Sequence, residues 1–180
     1  GVRPGRGRVC ASRGWGPHRV GYVDQVVLMC GPAGSGKSTY ARGLEARGYV
    51  RVSFDGEAWA LGHRTHPIGD DARQVVNGTL QDKLVDCVKQ GKGVVVDSSF
   101  WSRASRDEFR RLCAPLGVVP VVYYLDTRRS ILLDRLAQRE NSGPDDIAVS
   151  RERAIAYIDG FETPTPEEGP LRIVHVTSPM

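Results

Sequence analysis

The chain has 180 residues, 40% apolar and 26% charged, which suits one domain around a single core. No apolar run approaches the roughly 20 residues that a membrane-spanning helix needs, so no membrane partner is expected. The net charge of +4 comes from the start of the chain. Arg3, Arg6, Arg8, Arg13 and Arg19 meet no acid there, which leaves 20 basic against 21 acidic residues beyond it. A basic nucleic-acid surface is therefore not a property of residues 24–180. Residues 1–23 read as a disordered basic tail, with a nucleic-acid arm as the alternative, and 24–180 as one folded domain.

The first element in chain order is the apolar run Val26-Val27-Leu28-Met29-Cys30, short enough to be a buried strand. Gly31-Pro32-Ala33-Gly34-Ser35-Gly36-Lys37-Ser38 follows and fits the phosphate-binding loop at every required position. Thr39 then continues into a segment that can open a helix. Glycines in such a loop let backbone N–H groups curl around phosphate oxygens, and the helix N-terminus adds partial positive charge. Gly31, Ala33, Gly34, Ser35, Gly36, Lys37, Ser38 and Thr39 are the expected nucleotide contacts. Lys37 would reach the β- and γ-phosphates and the Ser38 hydroxyl would take one position on Mg²⁺. A nucleoside triphosphate, ATP, is the expected ligand.

A second strand is expected over Tyr49–Ser53, ending at Phe54-Asp55. A helix follows over Asp71–Gln90, with Asp70 as candidate cap and Leu80, Leu84, Val85 and Val88 on one face. Val94-Val95-Val96 leads into Asp97 as a third strand. Ser102 can cap a helix to Cys113, and Val118–Leu125, interrupted by Pro120, supplies a fourth strand. Thr127 is the candidate cap of a helix carrying Ile131, Leu132, Leu133 and Leu136, which Asn141-Ser142-Gly143-Pro144 would end. A helix over Ile147–Gly160 and a fifth strand over Leu171–Val176 complete the chain. Strands alternating with helices indicate an α/β fold, a parallel sheet covered on both faces. Functional groups should then gather at the carboxyl ends of the strands.

Cys30, Cys87 and Cys113 sit in these elements as small buried residues do, and with Cys10 they form no metal-ligand spacing, which suggests a reducing, cytoplasmic protein. His63 and His66 have no further ligand nearby and read as a loop feature.

Three polar positions follow strand ends. Asp55 could accept a proton from an attacking hydroxyl or cap the segment 56–61. Asp97 is placed to hold Mg²⁺, directly or through water. The residues alone leave open which of the two acts as base. Arg128, Arg135 and Arg139 share one helix face; Arg135 and Arg139 could neutralise charge on a transferred phosphoryl group beside a mobile lid at Gly143-Pro144. Arg64, Arg103 and Arg106 lie where an anionic acceptor could be held. Trp59 and Trp101 flank the same region, with core packing the favoured role for both.

With these residues in hand, the segment from Val26 to Val176 resembles the phosphate-loop kinases of the polynucleotide 5′-hydroxyl kinase, zeta toxin and chloramphenicol phosphotransferase type. Gly48-Tyr49-Val50-Arg51-Val52-Ser53-Phe54-Asp55 looks like the family's second strand with its catalytic Asp. Gly91–Ser99 looks like the third strand, and Phe161–Gly169 is similar to the segment before the last. The resemblance implies a five-stranded sheet with the loop after the central strand, and transfer of the ATP γ-phosphate to a hydroxyl. It implies Asp55 as general base and Arg135 or Arg139 as transition-state stabiliser. Polynucleotide kinases have Asp, any residue, Thr, Asn after the third strand, whereas this chain has Asp97-Ser98-Ser99-Phe100. That difference favours a small hydroxyl-bearing acceptor, such as an antibiotic, nucleoside or sugar nucleotide, over a polynucleotide. An NTP-driven switch without an acceptor is the reading from another class.

Overall fold

The computed structural model describes residues 23–65, 67–138 and 149–176. The tail expected over 1–23 lies almost wholly outside these residues, as do His66, Arg139 and the 141–144 loop.

Five strands form one sheet: β1 (Val26–Cys30), β2 (Val50–Ser53), β3 (Val94–Asp97), β4 (Val121–Thr127) and β5 (Leu171–Val176). Their order is β2-β3-β1-β4-β5, every pair is parallel, and β1 is central. Parallel neighbours need crossovers, and these are supplied by α1 (Lys37–Glu45), α2 (Phe54–Ala60), α3 (Asp70–Lys89), α4 (Arg103–Cys113), α5 (Arg129–Ala137) and α6 (Arg151–Asp159). Each of the five residues of β1 is buried, as a strand covered on both faces requires.

The core has two faces. Val26, Leu28, Val94, Val96 and Val122 pack with Leu80, Leu84 and Phe109 from α3 and α4. Val27, Met29, Val95, Tyr123 and Leu125 pack with Ala41 and Leu44 of α1. Each fully buried Leu or Val side chain contributes about 1.5–3 kcal/mol relative to exposure, so this double-sided burial anchors the strand ends where polar groups are displayed. Among the described residues no helix is long and apolar enough to cross a membrane.

The sheet and its parallel register match the expectation; several boundaries do not. β4 begins after Pro120, which has no N–H for the ladder, and it runs on to Thr127. Thr127 is therefore a strand residue rather than a cap, and Arg128 occupies the cap position of α5 without a side-chain bond. Gly69, not Asp70, precedes α3, and Asp70 lies in its first turn, where a carboxylate suits the helix dipole. The last helix starts at Arg151, capped by Ser150 through the Arg153 N–H.

Candidate active site

β1 delivers its chain directly into the loop 31–36, and α1 leaves from it. Gly36 takes the cap position of α1 with φ 94°, a left-handed conformation that glycine adopts without steric cost. Gly34 has φ 85°, and a Cβ there would meet Leu132 O at 3.4 Å and Arg135 Cβ at 3.5 Å, so α5 closes on the loop. The Gly31 N–H donates to Ser99 O (3.1 Å) and the Ser35 N–H to Pro32 O (3.1 Å). The Thr127 hydroxyl donates to Ser35 O (3.2 Å), and Arg135 donates to Gly34 O (2.7 Å). The loop is thus tied to the ends of β3 and β4 and to α5.

Two observations fit this loop to a phosphate chain. The cap position of α1 is Gly36, which has no side chain to cap the helix, and the first turn holds no acid to oppose a phosphate. The Ser35 hydroxyl is fully buried with no hydrogen-bond partner. Lys37, the first residue of α1, turns its ammonium back to Pro32 O at 3.3 Å. Ser38 and Thr39 follow it on the opening turn.

The register then sets the acids. Asp97 closes β3 level with Met29 of β1 and with Ser53 of β2. It is 4% exposed, and Arg51 donates to its Oδ2 through both Nε (3.2 Å) and a terminal NH2 nitrogen (2.7 Å). Arg51 pairs with Val95 in the ladder, so it stands two residues below Ser53 on the face that α1 covers. Asp55 lies in the first turn of α2. The cap of α2 is Ser53, whose hydroxyl accepts the Gly56 N–H at 3.1 Å, so Asp55 is not the capping residue that the sequence allowed. Ser38 and Asp97 offer hard oxygen donors. Mg²⁺ suits such a set, since it keeps several waters and takes its remaining ligands from phosphates. Among the described residues no group of three or more His, Cys, Asp or Glu side chains forms a self-sufficient metal cage.

The expected acceptor-binding arginines separate. Arg106 does not face an acceptor: it is fully buried, donates through Nε and NH2 to the two oxygens of Glu168 (2.9 and 2.7 Å), and donates to Phe100 O (2.8 Å). Its position on the inner face of α4, beside the buried Glu168 side chain, requires this pairing. The Arg106 guanidinium holds the Glu168 carboxyl below the usual carboxylate range, with Arg110 adding to the effect. Arg64 is exposed but folded back over the Trp59 ring (3.7 Å to the centroid), donating to Trp59 O at 2.7 Å. Arg103 is exposed near Asp107 (3.5 Å), and its N–H donates to Glu162. Trp101 departs from the expected core role, being 43% exposed.

Phe100 has φ 46°, a conformation that costs a bulky side chain about 1–3 kcal/mol. Its ring packs edge-to-face on Phe109 (5.0 Å), while its carbonyl accepts from Arg106 and from the Cys30 thiol. Asn, which the resemblance leads one to expect here, tolerates that backbone far better; this chain keeps the turn and sends the side chain into the core. Burial pushes the Cys30 thiol up to about 12, so Cys30 fills space and is not a nucleophile. Arg51 and Glu168 were not singled out from the sequence. The one available signal for Arg51 was a charge inside an otherwise buried strand pattern, which demands an acid partner.

Comparison with known proteins agrees with the fold. A search among curated proteins returns no significant match. Solved structures with the same fold include a gluconokinase from Sinorhizobium meliloti (22% identity, 86% of this chain and 83% of that one, TM-score 0.62). A sugar kinase from a Janibacter species matches similarly (20% identity, 84% and 85%, TM-score 0.62). A chain of the Pnkp1/Rnl/Hen1 RNA repair complex matches over 76% of this chain and 44% of its own length (18% identity, TM-score 0.61). The model of an AAA domain family matches residues 26–164. The chain therefore belongs to this AAA domain family of phosphate-loop kinases.

Proposed function

We propose that the protein is an ATP- and Mg²⁺-dependent kinase that transfers the γ-phosphate to a hydroxyl of a small molecule. The observation that carries this reading is the strand edge itself. Met29 of the phosphate-loop strand stands level with Asp97, α1 starts from the loop without a side-chain cap, and Asp55 lies in the first turn of α2 just after β2. Backbone N–H groups of the loop, Lys37 and the first turn of α1 would bind and orient the triphosphate. Mg²⁺, when bound, neutralises phosphate charge and steadies the leaving group. Ser38 and Asp97 are the residues that would hold it. Asp55, in the first turn of α2 just after β2, is the proposed proton acceptor for the incoming hydroxyl. Arg135, seated on the loop carbonyl of Gly34, would steady the loop and offset transition-state charge, and Arg139 would assist it. Arg64 and Arg103 remain candidates for an anionic group on the acceptor.

The gluconokinase and sugar kinase among the similar structures support a small hydroxylated acceptor. A polynucleotide 5′-kinase is the second reading, favoured by the RNA repair likeness and opposed by the near-neutral charge of residues 24–180. Incubation with γ-labelled ATP and sugars, sugar acids, nucleosides, hydroxylated antibiotics and 5′-hydroxyl oligonucleotides separates the two. Label on a small molecule supports the first, label on oligonucleotide ends the second. Release of inorganic phosphate alone removes both.

A further inference from the structure

The Arg51–Asp97 pair sits at the place where the metal would be held, and it is built unlike a simple structural ion pair. Asp97 is 4% exposed and Arg51 14%, and the two hydrogen bonds that Arg51 donates to Asp97 fall on one carboxylate oxygen, Oδ2. A guanidinium cannot lose its proton in a protein, so this positive charge is permanent. A carboxylate this buried would be costly without a partner and would attract any divalent cation. Arg51 supplies the counter-charge from the next strand, held by the ladder that sets Ser53 level with Asp97. Lys37 adds a second cation at the start of α1, on the same face of the sheet.

We infer that Arg51 is a resident counter-cation that keeps Asp97 from taking up a divalent metal until nucleotide arrives. In the nucleotide-free protein an incoming metal ion meets the like charge of Arg51 directly beside Asp97, and it must share a carboxylate whose Oδ2 is already bonded. A metal carried by a triphosphate brings several negative charges with it, which offset that repulsion. Asp97 would then help to hold the metal through Oδ1, while Arg51 keeps Oδ2. The site is thereby selective for the metal–nucleotide complex over free metal. Arg51 is a positioning residue in this account, acting on the metal through Asp97. The inference rests on the metal role proposed for Asp97, but not on the identity of the acceptor.

The test uses nucleotide-free full-length protein and Mn²⁺ as a paramagnetic probe, with free ion counted by electron paramagnetic resonance. Arg51→Gln should bind Mn²⁺ at least about tenfold more tightly than wild type, as removal of a charge near a partly buried site predicts. Arg51→Lys, which keeps the charge, should stay near wild type. Arg51→Gln combined with Asp97→Asn should lose the gain. Equal Mn²⁺ affinity in wild type and Arg51→Gln overturns the inference, as does a gain that survives in the double variant. If Arg51→Gln is unfolded without metal, folding on addition of Mn²⁺ supports the inference, and failure to fold in Mn²⁺ counts against it. No transfer chemistry enters this readout, so failure of the kinase assignment and failure of this inference remain distinguishable.

Discussion

Two buried arginine–carboxylate pairs in this protein share the same chemistry and serve opposite ends. Arg106 and Glu168 are 0% and 3% exposed, meet through two oxygens, and spend a further N–H on Phe100 O. Arg51 and Asp97 use one oxygen only, at a strand edge open to the phosphate loop. The first pair is closed: both acceptor oxygens are bonded, and the pair locks the 161–170 segment to α4 and props the strained turn at Phe100. The second leaves Asp97 Oδ1 outside the pair, at the position proposed here for the metal. Burial alone does not tell a structural ion pair from a functional one. The count of unfilled bonding positions and the neighbouring elements do.

The largest expected difference is in stability. Glu168→Gln should cost about 3–5 kcal/mol, because it strands the Arg106 charge in the core. Urea denaturation measures this, and a loss below about 1 kcal/mol would mean that the pair is not a structural lock. The folded fraction of the variant should turn over normally. Asp97→Asn should behave the other way, with a smaller stability change and a loss of transfer of about 10²–10³-fold at fixed Mg²⁺. If both variants lose activity and stability in step, the contrast between the pairs fails.

Asp55→Asn sharpens the contrast from the side of the acids. It should lower transfer by about 10²–10⁴-fold while ATP affinity holds, since a base acts on the acceptor hydroxyl and not on the donor. Titration of ATP binding beside the transfer assay reads both quantities. Loss of ATP affinity in Asp55→Asn would move Asp55 to the metal side of the site.

Acid should unfasten the closed pair. The Glu168 carboxyl is held below its ordinary value of 4.5, chiefly by its hydrogen bonds from Arg106. Its folded-state value lies under its unfolded value, so the stabilisation is fully present above about pH 4.5 and is lost as pH falls through the depressed value. Wild type should therefore lose stability more steeply below pH 4.5 than a variant combining Arg106→Met with Glu168→Gln. Equal slopes would show that the pair makes no contribution of this kind. The smallest effect belongs to the exposed cations: Arg103→Ala should change stability by under about 0.5 kcal/mol, so that any larger effect on acceptor KM reports binding.

What the sequence made legible follows from how local each signal is. The loop 31–38 declares itself because glycine geometry, the Lys-Ser ending and the flanking strand and helix all lie within about twenty residues of one another. Asp97 was readable as the polar end of an apolar run. Its partner Arg51 lies 46 residues earlier and meets it only through the β2–β3 register, which no local pattern encodes. Arg106 was misplaced for the same reason. Its partner Glu168 is 62 residues away, on an outer turn whose one inward side chain reaches α4 only through the path of the 161–170 segment. The start of β4 was misread because Val118 and Val119 are apolar, yet Val119 is exposed and the ladder begins only after Pro120.

In the proposed reaction the γ-phosphate of ATP leaves this loop for a hydroxyl of a small molecule. Product analysis with γ-labelled ATP, Mg²⁺ and the acceptor panel tests it most directly, with Lys37→Ala as control. Label is expected on at least one hydroxyl-bearing small molecule, and it should be lost in Lys37→Ala and on metal chelation. Label confined to inorganic phosphate, at a rate indifferent to every acceptor, would contradict it.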